Sequence, residues 1–323
     1  MTPLTLYPKK STERTRWILK HRGPKTPHVS TLPYGNFLEA EPGPDGTPWL
    51  CHTLLLTNRE CAFRCLMCDL WQDTLDTPTQ PGAIAAQVAA SLSPSPCGTG
   101  ESKRRALKLY NAGSFFDPGQ VPRDDYSEIA AHIRNSEFDR VIVESHTAFL
   151  GGKHAEHVLA FRDAIAPAAL EVAIGLETVH EQALEKLNKH MSVEDFRRAA
   201  GFLAENKIAL RVFLLVRPPF LSEDEGVEWG YRSLDTASAC GATFAALLPT
   251  RAGNGALEAL ALQGHYAPPT LQSLEECLRY GLGLDTKMRV TADLWDIEPF
   301  IHNNADQACV GRIAAMNTNQ RQN

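Results

Sequence analysis

From Trp49 onward, short apolar runs alternate with stretches of helical period. The runs at 50–57, 107–110, 138–143, 170–174, 209–216 and 242–248 are bounded by polar or turn-forming residues, which predicts six strands. Between and after them, 83–92, 124–135, 153–165, 193–206 and 222–239 carry apolar positions at helical spacing. A loop at 249–255 and a further helix at 271–281 follow the last strand. One helix start is written out in full. Ser192-Val-Glu-Asp195 sets a capping residue three places before an acid, ahead of Phe196, Ala199, Ala200 and Leu203. Helix initiation accounts for it without any chemistry. Repeated strand-helix units imply a parallel sheet with every strand's carboxyl end on one edge, where the loops build the site. A partial (β/α)6 barrel and an open doubly wound sheet both satisfy this pattern.

The first 28 residues differ. They hold Lys9, Lys10, Arg14, Arg16, Lys20, Arg22 and Lys25 against the single acid Glu13. A solvated, partly mobile terminus is the plain account of this arm, and a patch for an anionic substrate or an acidic redox partner is the sharper one. Pro42-Gly-Pro-Asp-Gly-Thr-Pro48 then reads as a turn or exposed loop. The whole chain of 323 residues carries a formal charge of −6, which argues against wholesale electrostatic binding of nucleic acid. No apolar run is long enough to suggest a membrane span, and the first residues lack the order of a signal peptide, so a cytoplasmic protein is expected.

Three of the eight cysteines crowd into Cys61-Ala-Phe-Arg-Cys65-Leu-Met-Cys68, directly after the first predicted strand. The other five, Cys51, Cys97, Cys240, Cys277 and Cys309, are scattered and read as small buried hydrophobes rather than a second cluster. Such crowding in a long chain suggests a metal site, not a disulfide framework. Three thiolates can hold three irons of a cubane and leave the fourth iron open to a small chelating molecule. Zinc, with His52 or Asp69 as a fourth ligand, is the structural alternative, but no second cysteine pair follows downstream.

The Cys-x3-Cys-x2-Cys spacing, its place after the first strand and the repeated units resemble the radical S-adenosylmethionine (SAM) superfamily. That resemblance covers roughly 49–248 and implies an α/β fold, a partial (β/α)6 TIM-like barrel with amino- and carboxyl-terminal extensions. It divides the chain into a basic extension (1–48), a core barrel (49–255) and a helical region with a tail (256–323). It also implies a [4Fe–4S] cluster on Cys61, Cys65 and Cys68, with SAM beside it. Met67 stands where the superfamily usually has an aromatic residue. Gly113 and Ser114 resemble the segment whose backbone meets the SAM amino group. Glu144 and Glu177 end apolar strands and stand where ribose hydroxyls or the methionyl ammonium would be bound. Arg217 ends the fifth predicted strand and can contact a carboxylate or phosphate, while His146 is read as a structural histidine as readily as a proton carrier. No residue is assigned a catalytic role.

Residues 111–117, Glu171-Val-Ala-Ile-Gly-Leu-Glu-Thr178, Leu187-Asn-Lys189, Asp195-Phe-Arg-Arg-Ala-Ala200 and 214–221 look like the archaeosine-synthase radical SAM subunit and its bacterial relatives. The resemblance implies reductive cleavage of SAM to a 5′-deoxyadenosyl radical, with electrons from a ferredoxin or flavodoxin. Its substrate would be a modified, deazaguanine-type nucleoside or tRNA, opened by carbon–nitrogen cleavage. A radical SAM enzyme for a small metabolite or natural-product intermediate is the alternative. A non-catalytic iron–sulfur or zinc protein is a third.

Overall fold

The computed structural model describes residues 6–92 and 104–322, so Cys97 lies outside the described residues. One sheet runs in strict chain order through β1 (Gly35–Pro42), β2 (Pro48–Leu56), β3 (Arg105–Asn111), β4 (Arg140–Glu144), β5 (Ala169–Glu177), β6 (Ala209–Val216), β7 (Phe244–Pro249) and β8 (Arg289–Ala292). β1 and β2 are antiparallel, joined by the proline-rich turn expected at 42–48, and every later pair is parallel. The helices are α1 (Ser11–His21), α2 (Ala83–Leu92), α3 (Tyr126–Asn135), α4 (Ala155–Ala164), α5 (Glu181–Lys186) and α6 (Val193–Glu205), then α7 (Glu223–Ala239), α8 (Ala256–Ala261), α9 (Leu271–Leu282) and α10 (Asn304–Asn319). The six expected strands are β2–β7, and the chain folds as a curled half-barrel of the partial TIM type.

Side-chain alternation divides the sheet's two faces. Leu107, Leu109, Val141, Val143, Val172, Ile174, Val212 and Leu214 pack outward in the main core with the helices. The inner face carries charge as well as small apolar residues. Lys108 bonds Glu39 at 2.8 Å and also pairs with Glu41. Arg211 clasps Glu41 with two nitrogens (3.0 and 3.1 Å) and reaches Glu171 at 2.6 Å, and Arg140 closes the chain on Glu171. Three acids meet three cations, so each buried charge has a partner. Both of the acids from the hairpin, Glu39 and Glu41, come from β1, a strand missing from the expected set. Its reading Gly-Asn-Phe-Leu-Glu-Ala-Glu-Pro is too polar to signal a strand by itself.

The carboxyl-terminal segment completes the far edge. β8 pairs with β7, and α10 lies against β8 and β1. Two side-chain amides at the carboxyl end of α10 occupy the places a next strand would fill. Asn317 donates to the Ala292 carbonyl and accepts from its amide (2.7 and 2.8 Å), and Gln320 does the same at Val290 (2.8 and 3.0 Å). Trp295 stacks on Phe37 of β1 with ring centres 5.2 Å apart.

The basic arm is not a loose terminus. It forms α1, because Trp17 and Ile18 supply an apolar anchor that packs on Leu66, Leu187 and α8. Arg14 pairs with Glu185 at 2.5 Å, and Arg22 and Lys25 both reach Glu60 (2.5 and 3.1 Å). The expected capping box at Ser192 is present, and a second one starts α7 at Ser222.

Removing Glu41 leaves Lys108 with Glu39 and Arg211 with Glu171, so three buried cations face only two acids. Glu41→Ala should therefore lower stability by about 3–5 kcal/mol in chemical denaturation. Burial opposes ionisation of Glu41, yet Arg211 and Lys108 outweigh it and hold the carboxyl down to about 2. A carboxyl lowered on folding stabilises above its unfolded range and loses that contribution as it is protonated. The stability that Glu41 supplies should fall away as pH drops from the ordinary carboxylate range through about 2, and Glu41→Gln should flatten that part of the profile.

Candidate active site

Thr57 to Trp71 leave β2 on the carboxyl edge of the sheet and form a loop tied down from several sides. The Leu66 amide donates to the Leu187 carbonyl at 2.8 Å. Asn188 donates to the Arg64 carbonyl at 2.9 Å, and Asn254 donates to the carbonyls of Leu66 (2.8 Å) and Cys68 (3.3 Å). The same Asn254 accepts from Ala256 and Leu257 and so caps α8. Gly255 follows with φ +80°, and an added Cβ would stand 1.9 Å from the His21 carbonyl. Only glycine lets α1 and α8 meet there.

The three thiols of this loop, Cys61, Cys65 and Cys68, are free and line one cavity of about 210 Å³. Gly113, Glu144, His146, Gly175, Glu177, Lys189, Phe213, Arg22 and Trp71 share its wall. Burial pushes the Cys65 thiol up to about 12, against a smaller opposing effect of Lys189. That burial disfavours the bare thiolate, which the positive charge of a thiophilic metal centre would offset. Among the described residues, no three His, Cys, Asp or Glu side chains are grouped as ligands of a single ion. His52, weighed as a zinc ligand, sits on β2 with its ring bonded to Asn36 at 2.7 Å, away from the cavity; Asp69 does line it.

Glu177 and Lys189 form an ion pair of 2.5 Å inside the cavity. Burial works against the Lys189 charge, but Glu177 outweighs it and holds the ammonium above its usual range. Glu177 has φ 66° beside a register shift in β5, so strained backbone sets its side chain. Gly175 makes room for the pair: an added Cβ would lie 2.3 Å from Glu177 Oε1 and 2.5 Å from Lys189 Nζ. Glu144 also faces the cavity. Burial raises its carboxyl to about 8, with Glu177 adding and Lys189 opposing.

Gly113 lines the cavity with φ +140°, its turn fixed by Gln120, whose side chain accepts from the Ser114 amide and donates to the Ala112 carbonyl (3.1 Å). Ser114 is buried behind that wall, where its Oγ accepts from the His146 amide at 2.9 Å. Arg217 is not among the lining residues. It pairs with Glu223 at 2.6 Å and donates to the Pro268 carbonyl, fastening β6 to α7.

His146 accepts from the Ala148 amide through Nδ1 (3.1 Å), which leaves Nε2–H to donate to the Lys189 carbonyl at 2.9 Å. Both ring nitrogens are therefore occupied, and the ring stacks on Phe63 of the cysteine loop at 4.0 Å. It is a brace. Phe63, Lys189, Arg22, Trp71 and the two asparagines had no assigned role in the sequence; only the spacing Leu187-Asn-Lys189 hinted at some of them.

Among solved structures, methylornithine synthase matches 83% of the chain and 69% of its own length with a TM-score of 0.52 at 13% identity, a likeness of fold. That fold and the cysteine loop at the carboxyl end of β2 bear out the resemblance to the radical SAM superfamily. The chain's sequence is similar to archaeosine synthase subunit beta of Methanosarcina acetivorans, 28% identical over 189 residues, which are 58% of this chain and 54% of that protein. It is also similar to an uncharacterised protein of Methanocaldococcus jannaschii, 26% identical over 239 residues, 70% of this chain and 63% of that one. The chain thus spans 54–63% of the length of these curated relatives. No protein-family model matches it.

Burial, chiefly, lowers the His146 ring to about 4, with Lys189 adding to the effect. Nitrogen-15 spectra should accordingly show this ring neutral and protonated at Nε2 down to about pH 5. A ring that gains its second proton near the ordinary histidine range would contradict the bracing role.

Proposed function

We propose that Cys61, Cys65 and Cys68 hold a [4Fe–4S] cluster and that SAM binds beside it in the same cavity. The observation that carries this is the meeting of three free thiols with Gly113, Glu144 and the Glu177–Lys189 pair on one wall. Three cysteine ligands leave one iron for a chelating small molecule. The bound cluster and SAM supply one chemistry, reductive cleavage to a 5′-deoxyadenosyl radical that abstracts hydrogen from the substrate. The chain's residues do the holding. The Glu144 carboxyl, without a hydrogen-bond partner among the described residues, is available to an ammonium. Lys189 offers the one buried ammonium of the wall to a carboxylate, while Glu177 orients it and can accept from a hydroxyl. Gly113 permits close backbone approach, Ser114 and His146 brace the loops around it, and Arg217 keeps β6 and α7 in register.

The sequence likeness to archaeosine synthase subunit beta supports a modified, deazaguanine-type nucleoside, free or in tRNA, as substrate. Carbon–nitrogen cleavage is what the resemblance implies for the reaction, and the word subunit in that relative's name supports a partner. A small metabolite is the second reading, favoured by the net charge of −6 and by the binding of Arg14, Arg22 and Lys25 to acids. A ferredoxin or flavodoxin would supply the electron.

Anaerobic reconstitution followed by dithionite and SAM should yield 5′-deoxyadenosine. Alanine at any one of Cys61, Cys65 or Cys68 should abolish both the cluster absorbance and the product. A fully loaded protein that neither binds SAM nor gives the product would end the proposal. Filter binding with total tRNA at varied salt separates the two substrate readings, since phosphate contacts make binding salt-sensitive.

Glu144 must lose its proton to receive an ammonium, and its free-site value is about 8. SAM affinity should rise as pH climbs from 6 toward about 8, and Glu144→Gln should flatten that rise in equilibrium binding.

A further inference from the structure

The cations of the amino-terminal arm divide into two sets. Arg14, Arg22 and Lys25 turn inward onto acids. Lys9, Lys10, Arg16 and Lys20 are exposed and form no ion pair among the described residues, with Leu19 exposed between the last two. The opposite side of α1 packs Trp17 and Ile18 on Leu66, the residue between the second and third thiols of the loop. A single helix, about 10 Å thick, therefore separates this basic face from the cysteine loop. At the other flank of the loop Asp69 is exposed, and Asp76 is exposed but paired with Lys25 at 2.9 Å. On a chain of net charge −6, the basic face is a local exception placed over the cysteine loop.

The geometry points to the outer face of α1 as the docking site for an acidic one-electron carrier protein, of the flavodoxin or ferredoxin kind. This rests on the proposed cluster at Cys61, Cys65 and Cys68. The step is a plain electron transfer: the carrier is oxidised by one electron, the cluster is reduced by one, and no bond is made or broken. Charge complementarity steers the encounter, and Leu19 gives the small apolar centre of a transient redox contact. Opposite-sign fields of this type act mainly on the association rate and fade with salt.

The test is stopped-flow bleaching of the cluster-loaded full chain by a reduced flavodoxin, beside the same measurement with dithionite. Combining Lys9→Glu, Lys10→Glu, Arg16→Glu and Lys20→Glu should slow reduction by flavodoxin about tenfold or more at low salt, with the difference closing at high salt. Reduction by dithionite and 5′-deoxyadenosine formation driven by it should match the parent chain. Equal flavodoxin rates in the two proteins would overturn the assignment. So would unchanged flavodoxin reduction together with lost salt-sensitive binding of total tRNA, which would make the face an RNA surface. A parent chain that dithionite cannot reduce, or that holds no cluster, would instead remove the proposed function on which the docking face depends.

Discussion

The buried exchange of charge between Glu39, Glu41, Lys108, Arg140, Glu171 and Arg211 is the constraint on which the rest of the half-barrel depends. A curled sheet has an interior too wide for small side chains alone and too narrow for a layer of helix. Here the end nearest the strands' amino termini is filled with ions that satisfy one another across five strands. The opposite end is thereby left free for the cavity. Each ion is costly to bury alone, so the network also dictates strand order: it closes only if β1 lies against β2 and brings its two acids inward.

That dependence explains what the sequence made legible. β2 to β7 announced themselves because their outward residues form a continuous apolar face, a signal that period and length both carry. β1 did not, because its inward positions are Glu39 and Glu41, whose ion-pair partners lie 67 or more positions away in the chain. β8 is only four residues long and borrows its second edge from side chains of α10, which no local pattern encodes. The helix α1 was hidden for a related reason. Three consecutive apolar residues, Trp17, Ile18 and Leu19, in an arm of seven cations give little amphipathic period, and the helix is recovered only through the contact of Trp17 and Ile18 with Leu66 and α8.

The cavity divides along similar lines. Cysteines at fixed spacing are a local signal, and acids at the ends of apolar strands are nearly so; both sets converge on one wall. Lys189, Phe63, Asn188 and Asn254 gain meaning only from partners far along the chain. Their shared work is to hold the cysteine loop in place without help from a bound group: Asn188 and Asn254 satisfy its carbonyls, and His146 stacks under Phe63. A loop fixed this way has surrendered its conformational entropy during folding, so that entropy is not charged again when a ligand arrives.

The amide side chains of Asn317 and Gln320 carry one more consequence. A sheet that does not close into a full barrel keeps two open edges, and an open edge is a template on which another chain can add a strand. By bonding both the donors and the acceptors of Val290 and Ala292, α10 removes one template; the Phe37–Trp295 stack draws the other edge in toward the same helix. A chain shortened before α10 would retain its six central strands and lose its defence against polymerising through β8.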